Sequence, residues 1–494
     1  MESQCMTITE GIMNYQSTRN AKITASSTAA VLQGLADDGG LFITKDFGGL
    51  DWRGTLEKDT YGMAEAILGA LLPDFDDMRA LVRRAYTGKF ETDELTPLVK
   101  VGERYVLELF RGPTSAFKDV ALSMLPQLIT AARSQEGVTD EILILTATSG
   151  DTGKAALAGF RDVPGTKIIV FYPDAGVSKV QKAQMVTQEG ENVCVCAVRG
   201  NFDDTQTGVK RIFAAGLPEA CGVRLSSANS INIGRLAPQV VYYFKAYADL
   251  LRSGRIALGD KVDYVVPTGN FGDILAGYLA KKMGLPVGRL VCASNRNDVL
   301  TDFLRTGVYD RRRPFYKTLS PSMDILVSSN LERLLYLLCE DENEVAGYMR
   351  SLNETGAYTV TEQMLEKLHA EFGFGCCDDE QTKEAIGRVW QAHGYLMDTH
   401  TAVAWQVAEG YASEAPVVVL STASPYKFPA AVLTAIGGDA SGDEFEIMDR
   451  LHALTGVPVP QGLATLRSKA VRHTDVIDRE DMQAYVLGKV RRWR

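Results

Sequence analysis

From Glu141 onward the chain alternates short apolar runs with stretches of helical pattern. Ile142 to Thr146 is apolar almost throughout, Ser149-Gly150-Asp151-Thr152-Gly153 breaks it with polar residues, and Lys154 to Phe160 is alanine-rich and helical in spacing. Lys167 to Tyr172 and Asn192 to Val198 are the next apolar runs. The pattern returns at Val262 to Pro267, followed by the turn Thr268 to Asp273 and a helical stretch from Ile274 to Met283. Leu290 to Ala293 and Pro416 to Ser421 complete the series. Apolar runs alternating with helices predict βαβ units and parallel sheets. The fold expected is α/β, with two open, mainly parallel sheet lobes behind a mainly helical N-terminal region. The polar, glycine-bearing stretch Asn229 to Arg235 suggests a break near Leu236. The division predicted is 1–100 for the N-terminal region, 101–236 for the first lobe and 237–494 for the second.

In open parallel sheets ligands bind beyond the carboxyl ends of the strands. Three polar, glycine-bearing turns fall at such ends, after Leu145, after Pro267 and after Leu420. Each feeds a helix N terminus, whose free amides and positive dipole end suit an anion.

Composition narrows the class. At roughly 100–200 residues per domain, 494 residues make about three domains. Apolar residues are 46% and charged residues 23%, which excludes a disordered tail or a coiled-coil rod. No run reaches the roughly 18 apolar residues that span a bilayer, so no membrane is expected as a partner. The first eleven residues lack the basic and apolar pattern of a signal peptide. A net charge of −10 argues against nucleic acid as a partner. An anionic small molecule would need a local cluster of donors. None of the eight cysteines forms a Cys-x-x-Cys pair, which favours a reducing, cytoplasmic setting. Cys194 and Cys196 are expected to share one buried strand face, and Cys376 and Cys377 to be exposed thiols. The five histidines form no zinc-hydrolase spacing. The oligomeric state stays open between monomer and dimer.

The segment Thr146 to Ala155 looks like a nucleotide P-loop at first sight. Thr148 stands where the motif needs glycine, and Ala155 where it needs a magnesium-binding hydroxyl. What remains is a hydroxyl-rich turn in which Thr148, Ser149 and Thr152 can donate to a carboxylate or phosphate, or serve as an ordinary helix cap. In Gly269-Asn270-Phe271-Gly272-Asp273 two glycines allow close approach of backbone to a ligand. In Leu109 to Asp119, Pro113 and the Thr114 and Ser115 hydroxyls are expected to open a helix. Lys118 then shares a face with Leu122 and Leu125. Loss of solvation there lowers an amine's pKa, as a Schiff-base lysine requires, although a surface lysine with its stem along apolar neighbours has the same pattern. Asn229, Ser230 and Arg235 bring an amide, a hydroxyl and a guanidinium together, and arginine matches phosphate with two parallel bonds.

Together these segments resemble threonine synthases, pyridoxal-phosphate enzymes of the tryptophan-synthase-β fold type. The resemblance rests on Glu108 to Asp119, Leu145 to Gly153, Ser226 to Leu236, Val266 to Asp273 and Leu420 to Phe428, with Tyr15 to Arg19 and Asp38 to Phe42 near the N terminus. It implies pyridoxal 5'-phosphate held covalently by Lys118, with its phosphate in the turn Gly269, Asn270, Phe271, Gly272 and Asp273. Thr422 would face the pyridine nitrogen and Asp151 the 3-oxygen. Thr148, Ser149 and Thr152 would hold the substrate carboxylate, and Asn229, Ser230 and Arg235 its phosphate. The implied reaction turns O-phospho-L-homoserine and water into L-threonine and phosphate. Alternatives are a phospholyase giving 2-oxobutyrate, or a ligand-binding relative without catalysis. Ser424 stands where relatives often carry His. Asp151 stands where more distant fold relatives have Asn. An ionised carboxylate would repel the 3-oxygen, so Asp151 is expected to be protonated or turned away.

Overall fold

The computed structural model describes residues 15–47, 49–148, 150–174, 177–218 and 221–493. Ser149 lies outside them. Two sheets carry the architecture. The larger has six strands in the order Phe372–Cys376, Val287–Ser294, Val262–Pro267, Val417–Ser421, Arg104–Glu108 and Leu98–Val101. All neighbours are parallel except the edge hairpin Leu98–Val101 with Arg104–Glu108. The smaller sheet is wholly parallel, ordered Val476–Ile477, Val193–Val198, Thr166–Pro173, Glu141–Ala147 and Val223–Ser226. The apolar runs therefore are the strands. They read as continuous because helices cover both faces of a parallel sheet.

Sheet membership does not follow the chain in blocks. Strands 98–101 and 104–108 precede Lys118 yet pair in the larger sheet, and 476–477 returns to the smaller one. The N-terminal region holds the helices Ser27–Gln33, Trp52–Leu56, Thr60–Leu71 and Met78–Tyr86, opened by side-chain caps from Ser26, Asp51, Asp59 and Asp77. It also holds a three-stranded antiparallel sheet, Asn20–Ala25, Tyr15–Ser17 and Phe42–Ile43.

That small sheet braces the second lobe. Glu332 accepts from Thr18 at 2.5 Å and forms an ion pair with Arg19 at 2.7 Å, while Arg333 donates to the Phe42 carbonyl at 3.0 Å. Both belong to the helix Leu331–Cys339, whose preceding residue Asn330 donates its amide to the Asn270 carbonyl at 3.0 Å. The N-terminal motifs thus act through packing on the turn after Pro267. Cys194 and Cys196 are buried in the core of the smaller lobe. The expectation for Cys376 and Cys377 is corrected: Cys376 is exposed, but Cys377 is buried beside Thr382. Among the described residues no helix is long and apolar enough to cross a membrane.

The helices Lys118–Gln135 and Asp151–Phe160 cross closely at Gly159, where an added Cβ would lie 1.9 Å from the Leu122 carbonyl oxygen. Backbone cannot yield as a side chain can, so Gly159→Ala should destabilise the chain by about 1–3 kcal/mol, the usual cost of overpacking. Urea unfolding checks this, and an unchanged midpoint would contradict the crossing.

Candidate active site

Lys118 is the first residue of its helix. The expected capping by Pro113, Thr114 and Ser115 is corrected, because Phe117 is the N-cap and offers no side-chain bond. Asp119 fixes the approach instead. Its carboxylate accepts from the Thr114 amide at 2.8 Å and hydroxyl at 2.5 Å. Ser115 adopts a left-handed φ of 60°, a conformation costing a non-glycine residue about 1–3 kcal/mol when held by its surroundings. The loop is then bonded to the end of strand 417–421. Leu109 donates to Ser421 at 2.9 Å, Phe117 to Thr422 at 2.8 Å, and Ser424 to Ser115 at 3.1 Å. Lys118 and Thr422 are thereby brought together from opposite ends of the chain.

Burial lowers the Lys118 amine to about 8; Asp151 opposes this, while Lys427 and Arg235 add to it. Asp151 opens the helix Asp151–Phe160. Burial alone would raise its carboxyl, but Lys427 first, then Lys118, hold it well below the ordinary range. Lys427 Nζ lies 2.7 Å from Asp151 Oδ1, both side chains being buried. Of the two expectations for Asp151, protonated or turned away, the protonated form does not hold: the carboxylate is ionised and bonded to neighbouring donors. Gln181 donates to Oδ1 at 3.1 Å and Ser322 to Oδ2 at 3.3 Å. Gly150 makes room, since a Cβ there would sit 2.4 Å from Gln181 Nε2. Thr148 accepts from the Gly150 and Gly153 amides, each at 3.0 Å, leaving its own proton to donate. Thr152 is half-buried at the same helix start.

The turn after Pro267 opens the helix Gly272–Lys282. Its strained residue is Phe271, with φ 63°, rather than either glycine. Gly269 serves close packing instead, for a Cβ there would lie 3.0 Å from the Ser322 carbonyl oxygen. First-turn amides of such a helix have no intrahelical acceptor and face outward to an anion. Asp273 turns Oδ1 to the hydroxyls of Tyr242 at 2.5 Å and Tyr243 at 3.1 Å, while Oδ2 has no partner. Burial raises its carboxyl to about 7 against those two hydrogen bonds.

Arg235 lies in the short helix Ile233–Leu236. Gly234 lets this helix meet Leu125, as a Cβ would come within 2.8 Å of Leu125 Cδ1. The Arg235 side chain is buried, donates to the Ala228 carbonyl and keeps Nε without a partner. Among the described residues no carboxylate pairs with it. Burial lowers its pKa to about 10. A buried, unpaired guanidinium is costly unless an anion completes it. Ser230 is half-buried nearby in sequence and Asn229 is exposed.

Sequence reasoning missed Lys427, Gln181, Ser322 and His400. Lys427 sat inside the recognised Leu420 to Phe428 stretch, in an apolar setting that could have marked it. Ser424 caps the turn Pro425–Lys427 by accepting from the Tyr426 amide at 3.3 Å, and so presents Lys427. His400 accepts the Ser322 amide at Nε2 and meets Asp398 through Nδ1 at 2.7 Å. Such contacts join residues far apart in the chain and leave no spacing to read.

The set suits a phosphorylated aldehyde: an amine of lowered basicity, a helix N terminus for one phosphate, a hydroxyl at Thr422 and a second anion site at Arg235. Family models agree. The model for pyridoxal-phosphate dependent enzymes matches residues 90–423, the threonine synthase N terminus matches 14–99, and the threonine synthase C-terminal model matches 401–486. Threonine synthase of Pseudomonas aeruginosa is 38% identical over 93% of this chain and 98% of its own length. Human threonine synthase-like 1 is 39% identical over 82% of this chain, which spans 57% of that protein. The pyridoxal-phosphate-bound threonine synthase from Brucella melitensis superposes with a TM-score of 0.87 at 38% identity, covering 97% of this chain and 99% of that one.

One pH effect follows from Asp273. Its folded pKa of about 7 exceeds the ordinary 3.8, so the folded chain holds a proton that the unfolded chain has lost between those values. Stability from this group therefore falls as pH rises through that window, by about 1.4 kcal/mol per unit of pKa difference. Asp273→Asn should flatten the fall in ligand-free stability between about pH 4 and pH 8. Urea unfolding across that range tests it; an unchanged slope would contradict the burial of an unpaired Oδ2. With family models matching it from residue 14 to residue 486, the chain belongs to the threonine synthase family of pyridoxal-phosphate-dependent enzymes.

Proposed function

We propose that this chain is a pyridoxal-phosphate-dependent carbon–oxygen lyase that converts O-phospho-L-homoserine and water into L-threonine and phosphate. The observation that carries the reading is Arg235: a buried guanidinium with Nε free, electrostatically coupled to Lys118. A site with one phosphate-binding helix start for its cofactor needs no second cation unless the substrate is itself an anion. The cytoplasm is the setting proposed, where thiols such as Cys194 and Cys196 stay reduced.

In this reading Lys118 holds the cofactor, the backbone from Gly269 to Asp273 holds its phosphate, and Thr422 presents a neutral hydroxyl to its ring nitrogen. Bound there, pyridoxal phosphate supplies an electron sink for charge that develops at the substrate carbons. Thr148 and Thr152 donate to the substrate carboxylate. Lys118, once the substrate amine has displaced it, takes the proton from Cα. Arg235, with Ser230 and Asn229, holds the γ-phosphate in register and stabilises its charge as the Cγ–O bond breaks. A second proton leaves Cβ before that bond breaks; one proton is then delivered to Cγ and one back to Cα, the water oxygen adds at Cβ, and the water's other proton leaves with the phosphate.

The test is product identification with O-phospho-L-homoserine. Threonine and phosphate in equal amounts are expected, and Lys118→Ala should abolish both while leaving unfolding nearly unchanged. Phosphate released with 2-oxobutyrate in place of threonine would overturn the synthase reading in favour of a phospholyase. Full cofactor binding with no turnover would favour a ligand-binding relative.

A further inference from the structure

Three carboxylates act electrostatically on Lys118: Asp151, Asp119 and Asp273. Asp119 is taken up by Thr114, and Asp273 directs Oδ1 to Tyr242 and Tyr243. Asp151 is the strongest attraction on the lysine, and is kept ionised by Lys427 beside it. Left free, it would hold Lys118 as an ammonium, which has no lone pair with which to attack an aldehyde.

Asp151 is not free. Lys427 meets it at 2.7 Å with its side chain fully buried, and also donates to the Thr114 carbonyl at 3.0 Å. Gln181 donates to the Asp151 oxygen that Lys427 meets and Ser322 to the other, and His400 acts on the same carboxylate from behind Ser322. Lys118 itself lies over the Phe117 ring, 4.8 Å from its centroid. The device is built by local sequence: Ser424 starts the single turn that carries Lys427, and the Ser424 amide is tied to Ser115, three residues before Lys118. Two lysines thus compete for one carboxylate, and the geometry awards it to the one that does no chemistry.

We infer that Lys427 is a positioning residue: it engages Asp151 so that Lys118 is left as a free amine able to capture the cofactor. The inference rests on the reading of Lys118 given above. It predicts opposite effects from the two partners, which a merely structural ion pair would not produce.

The test uses the full chain freed of cofactor, mixed with pyridoxal phosphate from about pH 6 to about pH 10. The rate of covalent capture, read by absorbance and assigned to Lys118 by peptide mapping, gives a midpoint for each form. The parent midpoint should lie near 8. Lys427→Met should raise it by about one unit or more, a roughly tenfold loss of rate at neutral pH. Asp151→Asn should lower it, and the double variant should return close to the parent. Should Lys427→Met fail to fold, as a buried carboxylate left alone can cause, the fall in Asp151→Asn still has to appear. An unmoved midpoint in either single variant, or a double variant as shifted as Lys427→Met, overturns the inference. A parent chain that captures pyridoxal phosphate at no pH, or at another lysine, overturns the functional reading and this inference with it.

Discussion

The backbone bonds between the Lys118 loop and the end of strand 417–421 hold the site together. Leu109, Phe117 and Ser424 exchange bonds with Ser421, Thr422 and Ser115 across some 300 residues of chain. Through them the lysine, the Thr422 hydroxyl and the Lys427 turn become one rigid unit. Side chains that must act on a single small molecule need this, because an ångström of slack costs orders of magnitude in rate. Asp119 and the left-handed Ser115 shape one side of the seam, and Ser424 shapes the other.

The site is also where the fold carries its costs. Arg235 is buried with Nε unpartnered, Asp273 is buried with one oxygen unpaired, and Ser115 and Phe271 hold conformations that favour glycine. Each feature opposes folding, and in the proposed reading each serves a ligand: a buried guanidinium with a donor to spare, a strained turn at a helix start. Surrounding packing sustains them. The N-terminal sheet, through Thr18, Arg19 and Phe42, braces Glu332 and Arg333 behind the strained turn. A region with no chemistry of its own thereby supports the chemistry.

Much of this was legible in the sequence because it is local. Polar turns interrupting apolar runs at Leu145, Pro267 and Leu420 marked the strand ends, and the strands lie there. Spacing put Lys118 on a face with Leu122 and Leu125 but did not separate it from a surface lysine; the resemblance around it singled it out. Contacts across the chain were not legible. Periodicity cannot reveal that strands 98–108 and 476–477 exchange lobes, since pairing partners are set by the fold. Nor could it show that Thr114 serves Asp119 rather than a helix start, or that Cys377 turns inward while Cys376 faces solvent. Neither could it decide between a protonated Asp151 and one turned away. Its neighbour Lys427 is 276 positions away, and a carboxylate judged without its counter-charge looks too costly to ionise.

The central claim is that Lys118 carries the cofactor while Lys427, the buried lysine beside Asp151, does not. Reduction of the pyridoxal-phosphate-loaded chain with borohydride, followed by peptide mapping, reads this directly. The account predicts the pyridoxyl group on Lys118 alone. The same group on Lys427 or Lys154, or none on the chain, would contradict it.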